Sequence, residues 1–99
     1  MRQAPSASAI VTALRRAKPG LAARYPVRAM ALFGSVARGE ATAESDVDIL
    51  VDVDPSIGLG MVALGDEIEK LLGRRVDLVS RRAVRPRMLR VIESEKVDV

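Results

Sequence analysis

The sequence predicts an α/β fold in which a small mixed sheet of about three or four strands is backed by helices. Three short runs rich in β-branched and other apolar residues, at 27–33, 46–53 and 75–80, alternate with longer stretches of helical periodicity. Of the 99 residues, 48% are apolar, which is enough to bury the core of one small globular domain. We therefore predict a single α/β domain over residues 1–99.

The N-terminal third is predicted to form a helix and then a strand. Ser6 or Ser8 can cap the helix through its hydroxyl. The apolar stripe of this helix comprises Ile10, Val11 and Leu14. We expect the helix to end near Lys18, because the pair Pro19-Gly20 that follows is a typical helix stop. Residues 21–25 can add a separate turn. The first strand is then predicted at 27–33.

The middle of the chain is predicted to hold a short helix, a loop and the second strand. Residues 34–39 read as a turn with a short helix, and 40–45 as a polar loop. The residues at 46–53 alternate as in a strand. One face of that strand is wholly β-branched and consists of Val47, Ile49, Val51 and Val53. Such a face is suited to packing on helices.

The last part of the chain is predicted to form a helix, a strand and a final helix. The first of these helices, at about 59–72, can end at Gly73. Its apolar stripe comprises Met61, Leu64, Ile68, Leu71 and Leu72. After the strand at 75–80, Pro86 can begin the final helix. The inward-facing residues of that helix are expected to be Met88, Leu89 and Ile92.

The composition excludes several kinds of functional site. The chain has no cysteine and no histidine, so disulfides, thiolate metal sites and imidazole catalysis are impossible. Any metal ion must be held by oxygen ligands, which points to Mg2+ or Mn2+. No apolar run approaches the roughly 20 residues of a membrane span, so we expect no membrane partner. A cytoplasmic location is the prediction.

The charges are unevenly distributed, although the net charge is only +3. Seven arginines crowd the C-terminal third: Arg74, Arg75, Arg81, Arg82, Arg85, Arg87 and Arg90. They indicate either a solvated surface or an electropositive face for an acidic partner or a triphosphate. Tyr25 and Phe33 are the only aromatic residues, so the stacking platforms of single-strand nucleic-acid binders are missing. This argues against direct nucleic-acid binding.

The most informative residues are a glycine-serine pair and three aspartates. Gly34-Ser35 follows the first strand, where a glycine allows a tight turn and a close approach to a ligand. After ten more residues come Asp46 and Asp48, whose side chains share one strand face about 7 Å apart. Asp77 interrupts the apolar third strand, which is costly unless the carboxylate is exposed, paired or metal-bound. If the third strand lies beside the second, the three carboxylates converge on one face.

This set of residues is suited to a nucleoside triphosphate bound with magnesium. Ser35 can offer a hydroxyl among the N–H groups of the short helix, where phosphate is favoured. Two carboxylates at this spacing can bracket two Mg2+ ions about 3.5–4 Å apart, as in in-line phosphoryl transfer. We expect Asp46 and Asp48 to bridge the metals. Asp77 would hold the metal that activates the incoming hydroxyl, or accept the proton of that hydroxyl.

Each part of the motif also has a purely structural interpretation. Taken alone, Gly34-Ser35 is typical of an ordinary strand-to-helix turn, and Asp46 and Asp48 fit the exposed face of an edge strand. Arg38 can bind phosphate or pair with a nearby carboxylate such as Glu44 or Asp46. The fixed spacing and the addition of Asp77 favour the functional interpretation of the whole set.

The run GSVARGEATAESDVDILV at 34–51, with VDLV at 76–79, closely resembles the minimal nucleotidyltransferases (MNT proteins) of the DNA polymerase beta-like superfamily. The pair Arg38-Gly39 matches the feature that marks the minimal subgroup. The resemblance implies a catalytic and metal-binding triad of Asp46, Asp48 and Asp77. It implies a nucleotide-binding turn at Gly34 and Ser35, to which we add Arg38.

The resemblance also implies a function and a partner. Proteins of this kind are commonly the antitoxin half of a HEPN/MNT toxin–antitoxin pair, whose toxin is a helical HEPN ribonuclease. The implied activity is transfer of AMP from ATP to a tyrosine hydroxyl of that toxin. Two other functions stay open: a non-catalytic antitoxin that occludes its toxin, and a nucleotidyltransferase acting on a small molecule or RNA.

Overall fold

The computed structural model describes residues 3–99, which form a four-stranded sheet and four α-helices. The helices are α1 (Ala7–Arg24), α2 (Gly34–Arg38), α3 (Gly60–Leu72) and α4 (Pro86–Glu95). The strands are β1 (Val27–Phe33), β2 (Val47–Val53), β3 (Val76–Ser80) and β4 (Val97–Asp98). Short 3-10 turns precede α3 and α4 at Pro55–Ile57 and Arg81–Ala83.

The sheet is mixed, as predicted, with the strand order β3-β2-β1-β4. β1 pairs antiparallel with β2 and with β4, whereas β2 and β3 are parallel. A parallel pair needs a long crossover connection, and α3 supplies it here. β3 lies directly beside β2, so the condition under which the aspartates of these two strands meet on one face is fulfilled.

The main core lies between one face of the sheet and the helices α1 and α3. The β-branched face of β2 belongs to it, as the alternation predicted. Leu14 of α1 and Leu64 and Ile68 of α3 are fully buried against this face. Burial of such side chains contributes roughly 1.5–3 kcal/mol each and makes this face the main source of stability.

The opposite face of β2 carries Asp48, Leu50 and Asp52. Leu50 is buried there, as is Ile92 of α4. Neither residue belongs to the main core cluster. The sheet therefore has buried apolar side chains on both faces, and Asp48 lies at the start of β2, where its side chain is only partly buried.

Helix α1 is longer than predicted, because it continues through Pro19 to Arg24. The predicted end near Lys18 is wrong. Leu21 lies two turns beyond Leu14 on the same helix face and is only 2% exposed. The gain from burying Leu21 outweighs the hydrogen bond that proline cannot donate.

Two residues predicted to face inward are exposed instead. Leu71, in the last turn of α3, is 48% exposed and borders a groove between α1 and α3. Met88 is 56% exposed, because α4 turns Leu89 and Ile92 towards the protein and leaves Met88 on a flank. The sequence periodicity located both helices, but it does not show how much of each apolar stripe is buried by the rest of the protein.

Most element boundaries agree with the predictions to within one residue. β1 spans 27–33 as predicted, α4 begins at Pro86, and α3 ends at Leu72 with Gly73 as its C-cap at a φ of +64°. β4 was not predicted, since two residues are too few to show a period. Its neighbour Val99 donates a backbone hydrogen bond to Met30 at 3.0 Å. In residues 3–99 no helix is both long and apolar enough to cross a membrane.

Candidate active site

Asp48 and Asp77 lie directly opposite each other on the parallel strands β2 and β3. Side chains at the same register of neighbouring strands point to the same face of the sheet. On its other side Asp48 pairs with Phe33, the last residue of β1. The two aspartates therefore lie at the edge of the sheet where β1 turns into α2, which is where the motif predicted a site.

Gly34 is required at this turn because of its contact with Asp48. Its φ of +75° lies in the left-handed region, and an added Cβ would be only 2.1 Å from Oδ2 of Asp48. Gly39 at the end of α2 has a similar φ of +73°, but its Cβ would have no neighbour within 4 Å. The glycine of the motif thus lets the backbone of the turn lie against the Asp48 carboxylate.

Ser35 lies next to Gly34 in the first turn of α2 and is partly buried. No side chain caps the start of this short helix. The loop that follows is closed by Ser45, whose hydroxyl accepts a hydrogen bond of 2.9 Å from the Thr42 backbone N–H. This closed loop fixes the distance between the glycine-serine turn and the aspartates of β2.

Asp46 lies just before β2 and is more open than Asp48. Its side chain is 49% exposed and forms an ion pair of 3.4 Å with Nε of Arg75. The Val47 backbone N–H donates to the Arg75 carbonyl at 2.9 Å, which holds the start of β2 against the residue before β3. The sequence made Asp46 a candidate site residue but gave no sign of Arg75 as its partner.

The surroundings of Asp48 disfavour its negative charge. Burial raises the pKa of the Asp48 carboxyl, the charges of Asp77 and Asp46 raise it further, and only Arg38 acts in the opposite direction. Carboxylates held together and partly out of water repel one another. The site therefore favours a positively charged ligand.

Arg38 is held by two glutamates. Its Nε donates to Glu40 at 3.0 Å and its Nη1 to Glu95 at 3.1 Å. The structure thus confirms that Arg38 pairs with carboxylates, but the partners are not Glu44 or Asp46, the two weighed from the sequence. Glu95 was missed altogether, since nothing local connects residues that lie 57 positions apart.

The donor set is suited to a hard divalent cation, although the carboxylates do not form a closed cage. Across residues 3–99 no group of three or more acidic side chains is placed to hold an ion by itself. Magnesium is usually bound through one or two carboxylates together with substrate phosphates and waters. Asp48 and Asp77, with Asp46 nearby, meet that requirement for a site completed by a bound nucleotide.

Comparison with known proteins matches this chain to nucleotidyltransferases both by sequence and by structure. Residues 14–99 match the family model described as the nucleotidyltransferase domain. The protein adenylyltransferase MntA of Thermococcus cleftensis is 43% identical over 84 residues, covering 83% of this chain and 84% of that protein. A solved structure named provisionally as a minimal nucleotidyltransferase is 36% identical, with a TM-score of 0.81 over 96% of this chain and 97% of that one. A variant of the toxin–antitoxin pair MntA-HpeT is 25% identical, with a TM-score of 0.64 over 93% of this chain and 69% of that one.

Proposed function

The chain belongs to the nucleotidyltransferase domain family, and from that premise we propose that it is an antitoxin that transfers AMP from ATP to a tyrosine hydroxyl of a HEPN-type toxin and so silences it. The observation that carries the proposal is the Asp48–Asp77 pair, with Asp48 lying against the Gly34 turn. The name of the Thermococcus relative supports protein adenylylation, and the toxin–antitoxin pair among the structural neighbours supports the kind of partner.

In this proposal the aspartates hold magnesium and the turn holds the nucleotide. Asp46, Asp48 and Asp77 are the metal-binding residues, for two Mg2+ ions or for Mn2+ in their place. When bound, the ions would offset the negative charge of the carboxylates and of the triphosphate oxygens. Gly34 and Ser35 contact the phosphates through the start of α2, and the guanidinium of Arg38 adds a positive charge.

The reaction is an in-line displacement at the α-phosphorus. The tyrosine oxygen forms a bond to that phosphorus, the bond to the pyrophosphate oxygen breaks, and pyrophosphate leaves. Asp77 is our candidate to receive the hydroxyl proton, because it is the more exposed member of the aspartate pair. The products are a phosphodiester that joins AMP to the tyrosine side-chain oxygen, pyrophosphate and a proton.

The acceptor hydroxyl must come from another molecule in this scheme. The only tyrosine of the chain is Tyr25. Its hydroxyl donates a hydrogen bond of 2.8 Å to Glu67 of α3, on the side of the sheet that carries the core helices. Tyr25 is therefore a packing residue, as its position before β1 suggests, and a partner protein presents the acceptor.

The test is to mix a small molar fraction of this protein with a HEPN-type toxin, ATP and Mg2+, separate the proteins, and weigh the toxin by mass spectrometry. We expect the toxin to gain one or more AMP units and to stay inactive after separation. The Asp77→Asn variant should produce neither change, whereas Asp66→Asn, which alters an exposed aspartate of α3, should behave as wild type.

The same experiment separates the proposal from its alternatives. A non-catalytic antitoxin would return unmodified, active toxin after separation, because inhibition by binding ends on dissociation. A nucleotidyltransferase of RNA or a small molecule would leave the toxin unlabelled but transfer label from α-phosphate-labelled ATP to those substrates. Either result would reject adenylylation of the toxin.

A further inference from the structure

We propose that Glu95, in the last turn of α4, is a positioning residue that fixes the Arg38 guanidinium beside the nucleotide site. This inference rests on the proposed function, because it assigns Arg38 to the triphosphate. It extends the site to the C-terminal helix, an element that contains none of the motif residues. The ligand contacted by Arg38 would be the phosphate chain of a Mg2+-bound nucleoside triphosphate.

The hydrogen bonds of Arg38 define its orientation. Glu95 accepts from Nη1 with both carboxylate oxygens, at 3.1 and 3.3 Å, while Glu40 accepts from Nε at 3.0 Å. A guanidinium is a planar fork with five N–H donors. Among the hydrogen bonds of the described residues, none uses Nη2 of Arg38, so this nitrogen keeps donors for a phosphate oxygen.

Of the two glutamates, Glu95 is the one that the fold holds in place. Its side chain is 22% exposed, compared with 67% for Glu40. Glu40 lies in a loop only two residues after Arg38. Because the two residues belong to the same segment, Glu40 cannot fix Arg38 relative to the rest of the protein. Glu95 belongs to a separate helix, anchored three residues earlier by Ile92, which is 3% exposed.

Glu95 and Arg38 are also within electrostatic reach of the reacting centre. The charge of Arg38 lowers the pKa of Asp48 and the charge of Glu95 raises it. Arg38 also lies about one turn along α2 from Gly34, whose backbone contacts Asp48, so the pair is near the aspartates that would bind the metal. A surface ion pair remote from them would contribute little to stability.

Two effects of removing the Glu95 charge can be distinguished by their sign. If Glu95 is only a negative neighbour, Glu95→Gln reduces repulsion of the triphosphate and strengthens binding. If Glu95 positions Arg38, the variant loosens the guanidinium and weakens binding. We expect the second result, because the guanidinium is held by one glutamate at Nε and by another at Nη1, and the variant weakens the contact at Nη1.

The experiment measures the affinity for Mg2+-ATP by calorimetry in the full chain. Glu95→Gln should weaken binding by about five-fold, a coupling near 1 kcal/mol. Glu95→Asp keeps the charge but shortens the reach, and it should weaken binding similarly. In an Arg38→Ala background, Glu95→Gln should cause no further loss. Glu93→Gln, on the same helix but paired with Arg81, is the matched control and should bind as wild type.

Stronger binding by Glu95→Gln, wild-type binding by Glu95→Asp, or an equal loss with and without Arg38 would overturn the positioning role alone. Absence of Mg2+-ATP binding by the wild-type protein would overturn the proposed function and this inference with it. Melting temperatures and the NMR signal of the Arg38 Nε–H check that the variants fold. That signal should broaden in Glu95→Gln if the guanidinium has been released.

Discussion

Among single residues, a substitution of Gly34 tests the site most directly. The effect of its positive φ can be separated from the effect of its contact with Asp48 by comparison with Gly39, which shares only the positive φ. Gly34→Ala and Gly39→Ala both place an alanine at a positive φ, which costs roughly 1–2 kcal/mol. Only at Gly34 does the new Cβ meet the Asp48 carboxylate. We predict that both variants lose about this much stability, and that only Gly34→Ala loses Mg2+-ATP binding and transfer, by on the order of 10²-fold or more.

Denaturant unfolding and the mass-spectrometric transfer assay measure these two effects. Equal activity of the two glycine variants would show that transfer does not depend on the contact between Asp48 and the backbone of Gly34. That result would contradict the assignment of Asp48 to the site.

Asp48 itself should make the nucleotide-free protein less stable. Its pKa is raised in the folded state by burial and by Asp77 and Asp46, so the native protein binds that proton more tightly than the unfolded chain. Stability from this group is therefore lost as pH rises from the unfolded value, about 3.9, through the folded value. We predict that Asp48→Asn melts at a higher temperature than wild type at pH 7, while transfer is lost.

The gain should shrink as pH falls and vanish below about pH 3.9, where the carboxyl is protonated in both states. Added Mg2+ should raise the melting temperature of wild type more than that of the variant. A variant that melts below wild type at neutral pH would contradict this account of the site.

Among the secondary-structure elements, α1 shows how tertiary packing overrides a local stop signal. Proline in a helix interior is about 3 kcal/mol less favourable than alanine, partly offset by about 0.4–1 kcal/mol from the stiffer unfolded chain. Pro19→Ala should therefore stabilise the protein by about 2 kcal/mol, provided that the helix already continues to Arg24.

Thermal and urea unfolding measure this change. The neighbouring Gly20→Ala is the control: its Cβ would have open space, and it should add only about 0.5–1 kcal/mol. If Pro19→Ala destabilised the protein, proline would be shaping a bend that the packing of Leu21 requires.

For the whole molecule, the arginines of the C-terminal third divide into those that form an ion pair within residues 3–99 and those that do not. Arg75 and Arg81 have carboxylate partners, whereas Arg85 and Arg87 are exposed near the start of α4. We predict that charge reversal at Arg85 and Arg87 slows association with the toxin by about ten-fold at low salt. The effect should fade as salt screens the charges.

Stopped-flow or surface-binding kinetics at several salt concentrations test this prediction, with Arg16→Glu on α1 as the control. Unchanged kinetics in the reversed variants would return Arg85 and Arg87 to the solvated-surface interpretation. A loss that persists at high salt would indicate direct buried contacts instead of steering.

The sequence by itself determined the elements whose signals are local. The apolar run of β1, the alternation in β2, Pro86 at the start of α4 and Gly73 after α3 are read from neighbours along the chain. These predictions were confirmed. The spacing of Gly34-Ser35 and the aspartates also identified the family, because chemistry fixes residue types and intervals that survive in one sequence. The roles of the individual site residues remain predictions.

Only the tertiary structure decided which distant residues meet. It carried α1 through Pro19, because burial of Leu21 outweighs a backbone preference of a few kcal/mol. It placed Asp48 against Gly34 and brought Glu95 to Arg38, across 57 positions. Contacts of this kind depend on how helices pack on the sheet, and no pattern within a few residues of either partner records that packing.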